Sequence, residues 1–239
     1  MWKNILNKFS KKIGIDLGTT KTIIFLKDKG IIIQEPSIVA INNRLDQIIA
    51  VGEDANKMIG KNPDFITITH PLVNGVISDF EVTEKMLKYF FDKIFQENYN
   101  FVTRPSVVIS IPLDVTEVEK KAVEDAAIGA GAGKVYLVEE IMAAGIGARL
   151  PVQDASGSMI INLGGGKTEI AVISLNGVVI WKSLKVAGEE LSKDIVQYAR
   201  DHFNLMIGEK IAEEIKKKIG SAHDMGESGS IEMRGRDLL

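Results

Sequence analysis

The chain contains no cysteine, which excludes a disulfide framework and thiolate metal sites. It has no apolar run of the roughly 18 residues that a membrane-spanning helix needs. Its start lacks the continuous apolar stretch of a secretory signal. A cytoplasmic protein is the expectation. Nor is there a large basic block, and the formal net charge is −3, so no nucleic-acid-binding surface is expected. The three histidines, His70, His202 and His223, have no metal-ligand spacing and receive no role. What is present is a chain of 239 residues, 45% of them hydrophobic. That suffices for the core of one large domain or two modest ones.

Residues 1–12 have a pattern of their own. Trp2, Ile5, Leu6 and Phe9 fall at i, i+3, i+4 and i+7, one face of a helix. Lys3, Lys8, Lys11 and Lys12 occupy the other faces or lie just beyond. A short cationic amphipathic helix with an aromatic on its apolar face suits an anionic membrane interface, where each lysine adds on the order of 1 kcal/mol. The same residues also fit a helix docked on the protein's own core, or a frayed terminus.

An internal repeat carries the main signal. Ile13-Gly14-Ile15-Asp16-Leu17-Gly18-Thr19-Thr20-Lys21-Thr22 is matched by Met159-Ile160-Ile161-Asn162-Leu163-Gly164-Gly165-Gly166-Lys167-Thr168. A second apolar run follows each. Every copy reads as strand, Gly/Thr turn, strand, that is, a hairpin. Two distant copies indicate a duplicated unit and so two similar lobes. The turn chemistry points to phosphate. Glycine permits close backbone approach, and successive N–H groups in a turn form an anion nest. Thr19, Thr20 and Thr168 add hydroxyls, and Asp16 at a strand end suits magnesium, which prefers oxygen ligands. Two ordinary tight hairpins are the alternative, weakened by the duplication. Gly129-Ala130-Gly131-Ala132-Gly133-Lys134 is a decoy. A phosphate-binding P-loop needs a glycine and a hydroxyl residue where Ile128 and Val135 stand, so this stretch reads as a helix end with a glycine cap.

Elsewhere, residues 31–60 hold short apolar runs and a helical pattern around Ala55 to Ile59. Helices are expected over 81–95, 116–130 (with a capping box at Thr116 and Glu119), 139–150, 188–203 and 207–219. Strands are expected over 106–111, 135–138 and 177–185. Residues 221–230 read as an exposed loop. Alternating strands and helices indicate an α/β fold with a partly parallel sheet. Ala143, Ala144, Gly145, Gly147 and Ala148 give one helix a small face, suited to close packing between lobes or within a core. Glu213 and Lys216, three apart, read as a solvated ion pair on a helix.

Asp16-Leu17-Gly18-Thr19-Thr20 resembles the first phosphate loop of the superfamily of actin, DnaK-type chaperones and hexokinase. Within that superfamily the chain resembles the MreB family of bacterial actins. Supporting stretches include Gly75-Val76-Ile77-Ser78-Asp79-Phe80, Glu139-Glu140-Ile141-Met142-Ala143-Ala144, Ala171-Val172-Ile173-Ser174-Leu175-Asn176-Gly177 and Arg234-Gly235-Arg236-Asp237-Leu238. The resemblance covers nearly the whole chain. It implies an actin-like, ribonuclease H-like duplicated two-lobed ATPase fold with an incomplete second lobe. Residues 1–12 become a membrane-binding helix, 13–148 the first lobe with a small subdomain at about 31–80, and 149–239 a partial second lobe. It also implies binding of ATP and Mg2+, self-association into protofilaments, peripheral attachment to the inner face of the cytoplasmic membrane, morphogenesis partners and a role in cell shape.

Residue by residue, Asp16, Gly18, Thr19 and Thr20 match the first phosphate loop. Leu163, Gly164, Gly165, Gly166 and Thr168 match the second. Glu140 matches the carboxylate that positions the attacking water. Gly188, Glu213 and Lys216 match positions around the nucleoside. The departures are Asn162 for the family's aspartate, Lys167 and Lys21 for its usual threonine and asparagine, and Ile141 for its proline. A neutral amide supplies no charge for magnesium or water. The two lysines add charge near the phosphates, and Lys167 in particular suits transition-state stabilisation or a disturbance of the water. Binding with weakened hydrolysis is expected, with Glu140, Asn162 and Lys167 as the catalytic set. Family members continue past residue 239 with a Gly-rich loop beside the adenine and a final helix, so a fragment or interrupted gene is expected, with apolar surface exposed. The alternatives are a non-hydrolysing nucleotide-binding scaffold, a small-molecule kinase of the same superfamily, which lacks its substrate insertion here, and a chaperone-type ATPase, which lacks its peptide-binding domain.

Overall fold

The computed structural model describes residues 11–97, 104–224, 226 and 229–239. The expected membrane-binding face of Trp2, Ile5, Leu6 and Phe9 lies outside the described residues. Among these, no helix is long and apolar enough to cross a membrane. The chain divides by packing into two compact units, Met1–Leu184 and Lys185–Leu239. The boundary at residue 148 is the one that the family resemblance implies, and the division by packing falls later in the chain.

The first unit is built on a five-stranded sheet of β1 (Lys12–Leu17), β2 (Lys21–Leu26), β3 (Gly30–Pro36), β9 (Ser106–Ile111) and β10 (Lys134–Glu139). Its order is β10-β9-β1-β2-β3. The β1–β2 and β2–β3 pairs are antiparallel, whereas β9 runs parallel to both β1 and β10. Residues along β1 alternate between core and open face, as a strand period of two requires. Ile13, Ile15 and Leu17 face the core, together with Ile24, Leu26, Val107 and Ile109. Gly14 and Asp16 therefore face the other way, toward the site.

Helix α2 (Phe80–Glu97) covers the core face with Met86, Leu87, Phe90, Phe91 and Ile94, each at most 1% exposed. Fully burying side chains of this size contributes about 1.5–3 kcal/mol each before entropy is counted. Beside it lies α3 (Glu117–Gly129). The expected capping box is formed there: Glu119 N donates to Thr116 Oγ1 at 3.2 Å, and Thr116 N donates to Glu119 Oε2 at 2.7 Å. After α3 the chain turns at Gly131 with φ +117°, so the Gly-rich stretch there ends a helix.

A smaller sheet joins β4 (Val39–Asn42), β5 (Gln47–Val51) and β6 (Ile66–Thr69), with the short helix α1 (Glu53–Asn56) beside it. The helical pattern expected around Ala55 to Ile59 begins earlier and is shorter than expected. Residues 57–61 continue as turns, and only Ala55 of the helix is buried. The hairpin β7 (Leu72–Val73) and β8 (Val76–Ile77) follows.

Helix α4 (Glu140–Gly147) leaves β10 directly. It is shorter than the expected 139–150, because Arg149 takes φ +59° and the chain reverses. The antiparallel sheet β11 (Ser158–Leu163), β12 (Thr168–Ser174) and β13 (Gly177–Leu184) completes the unit. A Cβ on Gly145 would meet Ile173 Cδ1 at 3.1 Å, so the small face of α4 serves close packing on β12. On the outer face of β11, Met159, Ile161 and Leu163 are exposed.

In the second unit α5 (Gly188–Phe203) packs on α6 (Glu209–Ile219) through Ala199, Ala212 and Ile215. Asn204, a residue that tolerates left-handed geometry, ends α5 at φ +48°. The two-residue strands β14 (Leu205–Met206) and β15 (Arg236–Asp237) pair antiparallel.

Candidate functional site

Both repeat copies form the same turn. Gly18 N donates to Lys21 O at 3.2 Å, and Gly164 N donates to Lys167 O at 2.9 Å. Leu17 pairs with Thr22 across the first hairpin, and Leu163 with Thr168 across the second. A Cβ would lie 2.8 Å from Lys21 O at Gly18 and 2.9 Å from Lys167 O at Gly164, so glycine is needed at the same place in each copy. Asp16 and Asn162 are thus structural equivalents.

The two turns also face each other. A Cβ at Gly165 would fall on the Thr20 hydroxyl, and one at Gly166 would lie 2.9 Å from Thr19 Oγ1 and 3.1 Å from Asn74 Cα. Backbone of the second turn is therefore pressed against the hydroxyls of the first. Thr19, buried, accepts a 2.7 Å hydrogen bond from Gly75 N. Gly75 holds φ +80°, a conformation natural to glycine.

Ser37 braces the first turn. Its hydroxyl donates to Gly18 O at 2.7 Å and its N–H to Thr20 O at 3.0 Å. That uses the one hydroxyl hydrogen of Ser37, so Thr22 is the donor in the 2.9 Å Thr22–Ser37 bond. Both side chains are fully buried.

A cavity of about 320 Å³ lies on the open face of the large sheet, with Asp16, Glu140 and Asn162 in its wall and Phe25 and Val108 among its apolar residues. Ser110 Oγ donates to Asp16 Oδ1 at 3.1 Å. Asp16 has open surface, yet desolvation by the concave wall pushes its carboxyl up, against the Ser110 bond. Asn162 Nδ2 donates to Glu140 Oε1 at 2.6 Å. Desolvation also raises Glu140. The Asn162 bond opposes this, Asp16 and Glu169 add to it, and Lys167 eases it.

Lys167, expected at the phosphates, points elsewhere: its ammonium pairs with Asp114. Lys21 is exposed at the start of β2 and lends its carbonyl to the turn. Thr168 is buried. In the second unit, Gly188, Glu213 and Lys216 do come together. Lys216 Nζ donates to Gly188 O at 2.6 Å and pairs with Glu213, while Ser192 Oγ donates to Glu213 Oε2 at 2.8 Å. The ion pair expected to be simply solvated is in fact partly buried and cross-linked to α5.

Sequence reasoning missed Ser37, Ser110, Asp114, Glu169 and Ser192. Glu169 is the least expected. It is 2% exposed, its Oε1 accepts from Leu113 N at 2.9 Å, and its Oε2 is buried without a partner.

Duplicated strand–turn–strand units with opposed glycine turns, on an α/β frame, define the actin-like class of fold. The family model described as MreB/Mbl protein matches residues 10–239, and the chain belongs to that family. It is 46% identical to the cell shape-determining protein MreB of Pasteurella multocida, an alignment covering 100% of this chain and 69% of that protein. It resembles the crystal structures of MreB5 of Spiroplasma citri bound to ADP and to AMPPNP, with TM-scores of 0.89 and 0.90. Both are 36% identical, with 96% of this chain and 68% of theirs covered. The MamK double helical filament, at 21% identity and a TM-score of 0.71, covers 88% of this chain and 65% of that one and shares the fold.

Proposed function

We propose that the chain binds ATP, its phosphates gripped between the turns at Gly18–Thr20 and Gly164–Gly166, and uses the nucleotide to control self-association into membrane-attached filaments that govern cell shape. The observation that carries this reading is the approach of the Gly165 and Gly166 backbone to the Thr20 and Thr19 hydroxyls, which brings together two duplicated glycine turns of the kind whose N–H groups bind anions. It is supported by the ADP and AMPPNP held by the MreB5 relatives and by the cell-shape role in the name of the Pasteurella relative.

Magnesium fits Asp16 by donor chemistry. Among the described residues no group of three or more His, Asp or Glu has metal-binding geometry. Magnesium instead commonly keeps its waters and binds one or two carboxylates plus substrate phosphates. When bound, it would offset phosphate charge. In the second unit, taken by itself, Glu213, Lys216 and the Gly188 carbonyl form one bonded cluster, the residues that the family resemblance assigns to the nucleoside. Attachment to the inner face of the cytoplasmic membrane is assigned to Trp2, Ile5, Leu6 and Phe9, and morphogenesis partners would share that face.

Calorimetric titration with ATP and magnesium tests the binding. Saturable binding is expected, and its absence from a folded chain would overturn the reading. Nucleotide-dependent sedimentation tests filament formation, and co-sedimentation with anionic vesicles, compared with Trp2→Ser, tests attachment. A non-hydrolysing nucleotide-binding scaffold is the second reading, and the bond between Asn162 and Glu140 favours it: one oxygen of the carboxylate meant to orient water already accepts the amide.

A further inference from the structure

Lys167 stands at the end of the second glycine turn, one residue after Gly166. A cation there is well placed for a phosphate held by the turn, yet its ammonium is directed to Asp114, in the loop between β9 and α3. The side chain of Lys167 is only 10% exposed and that of Asp114 35%. A largely buried ammonium needs a counter-charge, because stripping its hydration unpaired is expensive.

The contact belongs to a two-point seam. Lys167 and Glu169, two residues apart and so on one side of the chain at the start of β12, engage consecutive residues of the loop. Glu169 Oε1 accepts the Leu113 N–H at 2.9 Å, and Lys167 pairs with Asp114. Ser183 of β13 adds a hydroxyl to the Asp114 carboxylate. Burial works to raise Asp114, but the Lys167 bond and charge outweigh it and hold the carboxyl below its ordinary range. Lys167 is still near enough to Glu140, in the cavity wall, to ease its charge. The lysine thus lies within electrostatic reach of the site while its donors are turned to Asp114.

We propose that Asp114 is a positioning residue for the nucleotide site, holding Lys167 behind the second glycine turn and so withholding a cation from the bound polyphosphate. This rests on the ATP-binding reading above. Its consequence is directional. Neutralising Asp114 frees Lys167 to swing toward phosphate, so the loss of an acidic residue outside the glycine turns strengthens binding through a lysine that is itself unchanged.

The test is ATP–magnesium calorimetry on the full chain at low and high salt, for wild type, Asp114→Asn, Lys167→Met and the double variant. Asp114→Asn is expected to tighten ATP binding about tenfold at low salt, the order of one added cation–phosphate contact. The gain should shrink at high salt and vanish in the double variant. In thermal unfolding without nucleotide, both single variants should lower Tm, and the double variant should lose less than their sum. Asp114→Ser is the second variant if Asp114→Asn is poorly folded. Unchanged or weaker binding by a folded Asp114 variant, with ATP bound normally by wild type, overturns the proposal, as does strict additivity in the thermal cycle. Failure of the wild type to bind ATP is a different result: it overturns the ATP-binding reading itself, and this role with it.

Discussion

Asn162 holds Glu140 across 2.6 Å, amide to carboxylate, at the wall of the cavity that also contains Asp16. The bond stabilises the charged form of Glu140 against the desolvation that raises it. It also occupies one oxygen of the carboxylate that resemblance assigns to orienting water. Asn162→Asp exchanges a donor for a like charge. Without magnesium, that variant is expected to melt lower than wild type, since two carboxylates then share one site. With ATP and magnesium it is expected to release phosphate at least about tenfold faster over many turnovers, within the range that a positioned acid–base group contributes. Equal multiple-turnover rates would sink the link between Asn162 and weak hydrolysis.

The approach of Gly165 to Thr20 gives a steric prediction. A methyl at residue 165 has no room, because its place is taken by the Thr20 hydroxyl. Gly165→Ala should force the turns apart and weaken ATP binding about tenfold, since overpacking costs about 1–3 kcal/mol. Pairing it with Thr20→Gly removes the obstruction and should recover part of the loss. If the double variant binds no better than Gly165→Ala, the turns do not act as one clamp.

The hairpins and the placement of Asp16 were legible in the sequence because both are local. A strand period of two puts Asp16 opposite Ile15 and Leu17, and glycines mark the turns. The helices at 80–97, 117–129 and 188–203 were legible through apolar spacing and, for the second, through the Thr116–Glu119 box. What stayed hidden depends on segments distant in sequence. Asp114 is 53 residues from Lys167, and Leu113 is 56 from Glu169. Glu169 shares the buried face of β12 with Ala171 and Ile173, but the half-buried other face carries Ile170 and Val172, so apolar residues on both faces hid which one is interior. Lys167 read as a phosphate ligand because its neighbours did, while its counter-charge lay on another loop. Ser192 looked like an ordinary helix position, yet it links Glu213 and Lys216 to α5.

Glu169 yields a pH prediction. Burial raises its carboxyl, the Leu113 bond and the Lys167 charge oppose this, and Asp114 and Glu139 reinforce it. A carboxyl raised by folding favours the protonated folded state, so its charged form penalises folding as pH climbs through the raised value. Glu169→Gln removes that charge at nearly constant shape. Its Tm relative to wild type should therefore rise as pH climbs from the ordinary carboxyl value of 4.5 through the raised one, and level off above it. Glu169→Ala also strands the Leu113 N–H, which should add a cost of about 1–3 kcal/mol to the same pH dependence. A Glu169→Gln difference that does not vary with pH would show that the carboxyl does not titrate against folding.

Glu213 has the opposite sign. Burial pushes its carboxyl up, but hydrogen bonds from Lys216, Ser192 and Lys217 prevail and bring it from 4.5 down to about 2. A depressed carboxyl adds stability that is fully present above the ordinary value and is lost as pH falls toward the folded one. Solvent screening keeps the effect modest, because the Glu213 side chain is 38% exposed. The contribution is local to α5 and α6, so it is best read by hydrogen exchange of their amides, which reports openings smaller than global unfolding. At neutral pH, Glu213→Gln should exchange faster than wild type in both helices. Between about pH 4.5 and about 2 the gap should close as the wild-type carboxyl takes its proton. A gap that persists below pH 2 would assign the effect of the substitution to packing and not to the charge of Glu213.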